Sequence, residues 1–492
     1  MSSASLNLSA GTSGLLKRVS RGFLLLSVGD IAAKGFAFLI TVLLARRLSD
    51  VGFGKLSTAI SIVSYLALVV DMGLSVYGAR AIAQSRARAA NLLINITGLR
   101  LALSLVVLCG LWFTMKVTNL PQDLEWVLLA SSLWLLPYAL NIEWVFQGLE
   151  RVGLAGLCRL LGQMAVCGLI VLLVHNPSHI QMAALIRPGG EIVVRGVLFG
   201  GVVFYLLSQR TDLRLHLGTW KNLLHQSWPL AISSLFTSVY AGNIDFVLLN
   251  LWRGAQQVGW YAAAYRVYLL LPQVLNLMVY AFYPVLSKSW KEPSRFRQFH
   301  QQFMIVMLIL SLPLSLFPFL LADDLIFLLY GSDYLNAVGA LKVLSLAPIF
   351  TGISATFAVS LIAAGFSKDA MAVYGVGLVV NLLSNVVLIP AYGLIGASIA
   401  TVLAEGAVLA AGFIWFRRKI YQVGLPIPVF GKLFLSGSAT GIIMIFARSQ
   451  QWLNSNSPVW RITGVGILGV CVYLFLILVL KVWSLSDWKV MG

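Results

Sequence analysis

The sequence predicts an all-α polytopic membrane protein: about fourteen transmembrane helices, in two pseudo-symmetric six-helix lobes followed by two further helices. Three observations predict it. Hydrophobic residues make up 59% of the chain and charged residues 11%, with a mean hydropathy of +0.89. Soluble globular proteins carry about 25% charged residues, so this surface needs lipid around it. Apolar runs long enough to cross the hydrocarbon core, which takes about 20 helical residues, recur along the whole chain. The loops between them are short and cationic. None is long enough to fold as a soluble domain, so any chemistry lies in or between the helices.

The chain opens on a polar segment, 1–21, that ends with Lys17, Arg18 and Arg21 and is expected in the cytoplasm. No targeting peptide is evident. The apolar run 22–45 is too long for a signal-peptide core, and no small-residue cleavage site follows it. It reads as an uncleaved first span, with residues 15–23 along the membrane surface before it. Spans follow at 56–82, 92–115, 126–147, 153–174 and 184–208. Arg187-Pro188-Gly189-Gly190 breaks the sixth and marks either its start or a kink. These six form a first lobe, 22–208. A cytoplasmic linker, 209–227, leads to a second lobe, 228–417, with spans at 228–252, 259–287, 303–321, 337–364, 371–389 and 394–416. The last segment, 418–492, holds two additional spans, 430–447 and 460–482, and a tail.

With the N-terminus inside and fourteen spans alternating, twenty Lys and Arg fall in cytoplasmic segments and seven on the opposite side. That bias places both termini in the cytoplasm. It also explains the net charge of +18 without nucleic acid as a partner. The outer side would carry the acidic loop with Asp323, Asp324 and Asp333. Cys109, Cys158, Cys167 and Cys471 all lie in apolar runs, which predicts small core residues and neither a disulfide nor a metal site. The five histidines show no metal-ligand spacing, and no cofactor is expected.

The two lobes carry a faint repeat. Val42-Leu43-Leu44, followed by Val51-Gly52-Phe53, recurs as Val247-Leu248-Leu249 followed by Val258-Gly259-Trp260. Both copies join an odd-numbered span to the next. The offset is an even number of spans, so the lobes would be parallel repeats related by an axis along the membrane normal.

Several runs resemble a known family. Leu43-Leu44-Ala45-Arg46-Arg47-Leu48 with Val51-Gly52-Phe53-Gly54 is similar to the first hairpin of bacterial oligosaccharide flippases of the Wzx type. Asp71-Met72-Gly73-Leu74-Ser75-Val76-Tyr77-Gly78-Ala79-Arg80, Trp144-Val145-Phe146-Gln147-Gly148, Ile244-Asp245 with Val258-Gly259-Trp260-Tyr261, and Ile389-Pro390-Ala391-Tyr392-Gly393-Leu394-Ile395-Gly396 resemble later parts of the same family. Its superfamily also holds MATE-type multidrug exporters and the lipid II flippase. The resemblance implies a MATE-like fold with two lobes around a V-shaped cavity, and alternating access. It implies an undecaprenyl-pyrophosphate-linked oligosaccharide as cargo, for polysaccharide or O-antigen synthesis in the bacterial inner membrane. It implies no enzyme activity, and a polymerase or glycosyltransferases as partners by analogy alone.

Charges inside spans are costly and mark cavities, partners or cargo. The cations are Lys34, Arg80, Arg100, Arg159, Arg187, Arg195, Arg266 and Lys342; the acids are Asp30, Asp71, Glu143, Glu191, Asp245 and Glu405. Asp30 with Lys34, and Glu191 with Arg195, are four apart and can neutralise each other on one helix face. Lys342 is placed to snorkel to the interface. Arg80 and Glu143 lie near cytoplasmic helix ends, where anchoring competes with function. Arg100, Arg159, Asp245, Arg266 and Glu405 have no such partner on their own helix. Guanidinium binds phosphate oxygens in a bidentate fork and stays charged. Lys34, Arg80, Arg100, Arg159 and Arg266 are therefore candidates for a cationic substrate lumen, against the alternative that they form interhelical salt bridges. Asp71, Asp245 and Glu405 are the candidates for ion coupling.

Other motifs point away from chemistry. Gly464-Val465-Gly466-Ile467-Leu468-Gly469 fits G-x-G-x-x-G, but inside an apolar span it predicts helix packing. Gly196 with Gly200, and Gly437 with Gly441, fit close helix approach. Asn95-Ile96-Thr97 is a sequon within a span and is expected to go unused. A membrane polymerase or ligase would need a large outer loop with catalytic residues, and none is visible. A small-molecule exporter on the same fold would need acids in its pocket and little arginine.

Overall fold

In a computed structural model of the chain, residues 4–118, 121–150, 152–208, 213–240, 244–420, 427–449 and 457–482 are described. Every regular element among them is helical. Side chains of residues 4–28, 30, 152, 155, 232–240 and 427 lie outside the described set, as do all of Arg151, Arg210 and the tail with Lys489. The helical backbone reaches back to Ala4, through the stretch expected along the membrane surface.

Eleven helical stretches among the described residues are long and apolar enough to cross a membrane. Two are too long for one crossing. Ile31–Asp71 has 41 residues and Ser367–Lys419 has 53, about 60 and 80 Å of helix at 1.5 Å per residue, against a core of about 30 Å. Each is interrupted by one residue of non-helical backbone, Ser49 and Gly393, so each holds two crossings.

The chain divides into two compact units, Met1–Ser238 and Val239–Gly492. In the first, α1 (Ala4–Asp71) turns at Ser49, where φ is +64°. The turn is capped locally: the Val51 N–H donates to Asp50 Oδ1 at 2.8 Å and the Gly52 N–H to Ser49 Oγ at 3.4 Å. A second break follows at Met72 and Gly73, both at positive φ, before α2 (Leu74–Gln84). After α3 (Ala89–Thr118), the fourth span comes in three pieces, α4 (Gln122–Ser132), α5 (Leu135–Ala139) and α6 (Glu143–Gly148). Then come α7 (Val152–Leu173), α8 (Ile180–Ser208) and α9 (Leu217–Tyr240). Pro188 lies inside α8, which already begins at Ile180, so the sixth span starts well before the Arg-Pro-Gly-Gly run.

The second unit holds α10 (Ile244–Arg253), α11 (Ala255–Tyr268), α12 (Leu270–Ser289), α13 (Pro293–Leu320), α14 (Ala322–Tyr330), α15 (Val338–Leu344) and α16 (Ala347–Ala363). It ends with α17 (Ser367–Lys419), α18 (Ile427–Ser449) and α19 (Pro458–Val479). Its core is aromatic, with Phe282 stacked on Phe303 and His300 on Phe416 at 4.4 Å.

Small residues decide where helices approach. A Cβ on Gly29 of α1 would lie 3.2 Å from the Gly156 backbone of α7. One on Gly437 would overlap Leu312, and one on Gly441 would meet Leu316, so this pair docks α18 on α13 as the spacing predicts. Gly196 and Gly200 face open space instead; there the same spacing carries no packing.

Candidate functional site

The intramembrane charges fall into separate clusters in the two units. In the first unit, Arg100 of α3 is 1% exposed. It donates to the Asp71 carboxylate, at the end of α1, and to the Ser75 hydroxyl in the first turn of α2. Ser75 Oγ in turn donates to Asp71 Oδ1 at 2.7 Å. The guanidinium also lies 5.9 Å from the Trp144 ring centroid. The Met72–Gly73 break makes this possible by bringing Asp71 and Ser75 to one point. Gly73 cannot carry a side chain, because a Cβ there would lie 2.6 Å from the Ser227 carbonyl oxygen. Arg100 and Asp71, expected to serve cargo and ion respectively, are thus brought together in one closed ion pair.

A second cluster lies among α6, α7 and α8. Arg159 donates to Glu143 at 2.9 Å, with side chains 38% and 16% exposed. Glu191 is buried and receives Arg195 at 2.8 Å, Arg187 at 3.7 Å and the Trp134 indole N–H at 2.7 Å. Arg187 also lies over the Trp134 ring at 4.4 Å. Arg159, Glu143, Glu191 and Arg195 line a polar cavity of about 30 Å³, together with Asn141 and Gln163. That is room for a water or two. Among the described residues, three guanidinium groups gather around two carboxylates here. The pairing of Glu191 with Arg195 is as the spacing predicts. Arg187, four residues before Glu191, carries the same signal, which the proline run after it obscured.

Lys34 and Arg80 are exposed on α1 and α2, and Arg266 is half-buried on α11. Lys342 pairs with Asp323 at 3.1 Å.

In the second unit Asp245, in the first turn of α10, is 1% exposed. Its carboxylate accepts from the Tyr261 hydroxyl at 2.8 Å, from Asn385 Nδ2 at 2.7 Å and from Thr401 Oγ1 at 3.5 Å. Asn385 also donates to Asn381 Oδ1 at 3.0 Å, and its own amide oxygen is buried without a hydrogen-bond partner. Phe246 and Tyr265 pack against Tyr261. Asn381 and Asn385 come from the first arm of α17 and Thr401 from the second, so the Gly393 bend assembles the cluster. A side chain at Gly393 would overlap Gln257, whose Oε1 accepts the Leu394 N–H at 3.1 Å. Glu405 is buried one turn beyond Thr401. Asp245 was legible as a buried charge. Its neutral partners were not, because asparagine, threonine and tyrosine in apolar spans carry no charge signal. With one carboxylate among neutral hydroxyl and amide groups, and no thiolate or imidazole, the site lacks the soft or nitrogen ligands that a transition metal favours. Among the described residues no group of three or more His, Cys, Asp or Glu is placed to hold a metal.

The repeat also has a structural counterpart. Ser49 at φ 64°, ψ 169° and Gly254 at φ 83°, ψ 170° turn the chain the same way in the two hairpins. Beside each turn an arginine caps a helix end. Arg47 donates to the Ile170, Val171 and Val174 carbonyls at 3.0, 3.1 and 2.5 Å. Arg253 donates to the Ile389, Pro390 and Ala391 carbonyls. Each hairpin is thereby fastened to the fifth span of its own unit.

Broken apolar spans, paired hairpins and charged clusters buried at helix breaks define a multi-pass membrane protein with polar sites inside its spans. Solved structures agree on the fold. The lipid II flippase MurJ in an inward closed conformation superposes with a TM-score of 0.74 at 15% identity, over 93% of this chain and 99% of that one. An inward-facing multidrug resistance MATE family transporter of the MOP superfamily gives 0.61 at 16% identity, over 81% and 98%. The chain belongs to the polysaccharide biosynthesis protein family, whose model matches residues 19–290; the MatE model matches residues 229–387. A Shigella dysenteriae protein named "Putative O-antigen transporter" is 26% identical over 75% of this chain and 93% of its own length. The capsular polysaccharide biosynthesis protein CapF of Staphylococcus aureus is 22% identical over 60% and 75%.

Proposed function

We propose that this chain is a flippase. Its cargo is an undecaprenyl-pyrophosphate-linked oligosaccharide, moved from the cytoplasmic to the outer leaflet of a bacterial inner membrane by alternating access, with both termini cytoplasmic. The observation that carries this reading is the gathering of three arginines, Arg159, Arg187 and Arg195, beside one cavity, in a chain of the polysaccharide biosynthesis family. The reducing end of such a cargo is a pyrophosphate. A guanidinium that is paired but still over a third exposed, as Arg159 is, can exchange a carboxylate oxygen for a phosphate oxygen without leaving a buried charge unmet. Lys34, Arg80 and Arg266 complete the proposed cargo path. Arg100 is assigned a different role, holding Asp71 at the α1–α2 break.

Coupling to an ion gradient is assigned to Asp245 with Asn381, Asn385 and Thr401, and Glu405 as a second acid nearby. This cluster also favours the alternative reading, a cation-coupled exporter of the MATE type. Deletion of the gene separates the two. A flippase leaves its lipid-pyrophosphate sugar in the cytoplasmic leaflet of the deleted cell. Drug hypersensitivity without that accumulation would establish the exporter instead. Within the flippase reading, Arg159→Ala is expected to cut transport about tenfold to a hundredfold, the worth of one charge-assisted contact. Arg159→Lys should recover little of it, because an ammonium lacks the planar fork. Full transport by Arg159→Ala in vesicles would remove this residue from the cargo path.

A further inference from the structure

The helix α12 carries polarity where a lipid-facing helix would not. Its residues sort onto three faces. Leu275, Phe282 and Leu286 are buried in the core of the second unit, with Phe282 against Phe303 of α13. Leu270, Val274, Leu277 and Val285 are exposed and apolar. The third face is open but polar. It holds half-buried Gln273, then exposed Asn276, Tyr280, Tyr283 and Ser287. Their steps of three, four, three and four residues keep them on one side of a helix. Tyr280 is 68% exposed and Tyr283 42%. Among the described residues, Asn276, Tyr280, Tyr283 and Ser287 find no hydrogen-bond partner for their side chains.

Such a face does not belong against lipid tails. An amide and three hydroxyls without internal partners need water or a ligand, and hydrocarbon offers neither donor nor acceptor. The exposed side of α19 is different, covered by Trp460, Ile467, Val470, Leu474 and Leu478. Nor is the whole face an interfacial anchor, since the tyrosines of an aromatic belt sit at the membrane surface. Asn276 and Tyr280 lie four and eight residues past Pro272, the midpoint of the apolar stretch Ala255–Ser289. That is about 6 and 12 Å along the axis, inside a hydrocarbon half-thickness of about 15 Å. In the other direction the backbone stays right-handed helical through Leu269. Arg266, seven residues before Gln273 and already placed in the cargo path, therefore extends the same line.

We propose that this face of α12 binds the glycan of the cargo and sets the selectivity for it. The assignment rests on the flippase reading and gives the sugars to residues which that reading left out. A tyrosine ring offers an apolar face to the C–H face of a sugar, and amide and hydroxyl groups donate and accept at the sugar's rim of hydroxyls. Tyr280 and Tyr283 stack on sugar rings, and Gln273 and Asn276 bond their hydroxyls. An acyl chain would gain nothing from the amides. A phosphate would call for cations, and none stands on this face from Gln273 to Ser287.

Native mass spectrometry of the full chain in detergent tests it with two probes. One is the undecaprenyl-pyrophosphate oligosaccharide recovered from the gene-deleted cell; the other is undecaprenyl pyrophosphate alone. Wild type is expected to bind the first more tightly, and the ratio of the two affinities measures what the glycan adds. Tyr280→Leu keeps an apolar side chain but loses the flat ring, and should cut that ratio about threefold to tenfold. Tyr280→Phe keeps the ring and should keep most of the ratio. Asn276→Leu should cut it about fivefold, the effect of one lost hydrogen bond. Arg159→Ala should weaken both probes alike and leave the ratio where it was. A wild type that prefers the glycan-bearing probe, with that preference unchanged in Tyr280→Leu and Asn276→Leu, would overturn the assignment and leave the flippase reading standing. Equal affinity of the wild type for both probes would overturn it as well. A wild type that binds neither probe would end the flippase reading and this assignment together.

Discussion

At the scale of the residue, Arg100 shows how a buried charge is made tolerable. Its guanidinium meets a carboxylate, a hydroxyl and an indole face, all within one unit. Removing one member of such a pair strands the other in a medium that cannot solvate it, which typically costs about 3–5 kcal/mol. Arg100→Ala should therefore lower the melting temperature of purified protein sharply. The double variant Arg100→Met with Asp71→Asn should recover most of that loss, since neither charge then remains. A double variant as unstable as the single one would mean that the pair does more than neutralise itself. This pairing could not be read from the sequence. Asp71 and Arg100 are on different helices, and a list of unpaired charges cannot say whether each finds a partner or a cavity. The charges themselves were fully legible, because a charge in an apolar run stands out regardless of fold. Asn95 shows the opposite limit. Within its sequon it looked inert, yet its amide accepts the His216 N–H at 2.8 Å and donates to the Arg214 carbonyl at 3.2 Å. It ties the linker after the sixth span to the third.

At the scale of the element, breaks matter more than the helices they interrupt. Hydropathy alone located the apolar runs but not their limits. Fourteen spans were expected, and eleven helical stretches among the described residues are long and apolar enough to cross. The expected seventh span, 228–252, is instead the end of α9 and the separate helix α10. The helix α13 starts at Pro293, ten residues before the expected 303. Hydropathy does not report that the fourth span is three short pieces, or that α1 bends at a serine. What it did retain was the repeat, since Val51-Gly52-Phe53 and Val258-Gly259-Trp260 each follow one of the two matching turns. Ser49 holds its positive φ with help from side-chain caps, whereas Gly254 needs none. Arg47 and Arg253 should then act alike. Each gathers three carbonyls at a helix end, so replacement by Ala should cost about 1–2 kcal/mol in partly buried geometry. Comparable losses are expected in thermal unfolding for the two variants, with little change in cargo affinity. A loss for one and none for the other would break the equivalence of the hairpins.

At the scale of the whole molecule, the proposed cargo cluster of Arg159, Arg187 and Arg195 and the proposed coupling acid lie in different units: Arg159 in the first, Asp245 in the second. Neither cluster can drive transport through its own contacts alone. What connects them in a coupled transporter is a shared equilibrium between two states, and such coupling is reciprocal. If the cation changes the affinity for cargo by some factor, cargo changes the affinity for the cation by the same factor, typically about 5–150-fold. Cargo binding to purified protein, titrated with and without the coupling cation and at two pH values, measures it. Wild-type affinity should shift between those conditions. Asp245→Asn keeps the shape of the side chain and part of its hydrogen bonding but cannot take up a cation's charge. Its cargo affinity should stay fixed across all conditions, while Arg159→Ala should weaken binding in every condition yet keep the shift. A shift that persists in Asp245→Asn would move the coupling site elsewhere, with Glu405 the next acid to test. A wild type that shows no shift at all would mean that cargo moves without ion coupling, with the difference in cargo concentration across the membrane as its only driving force.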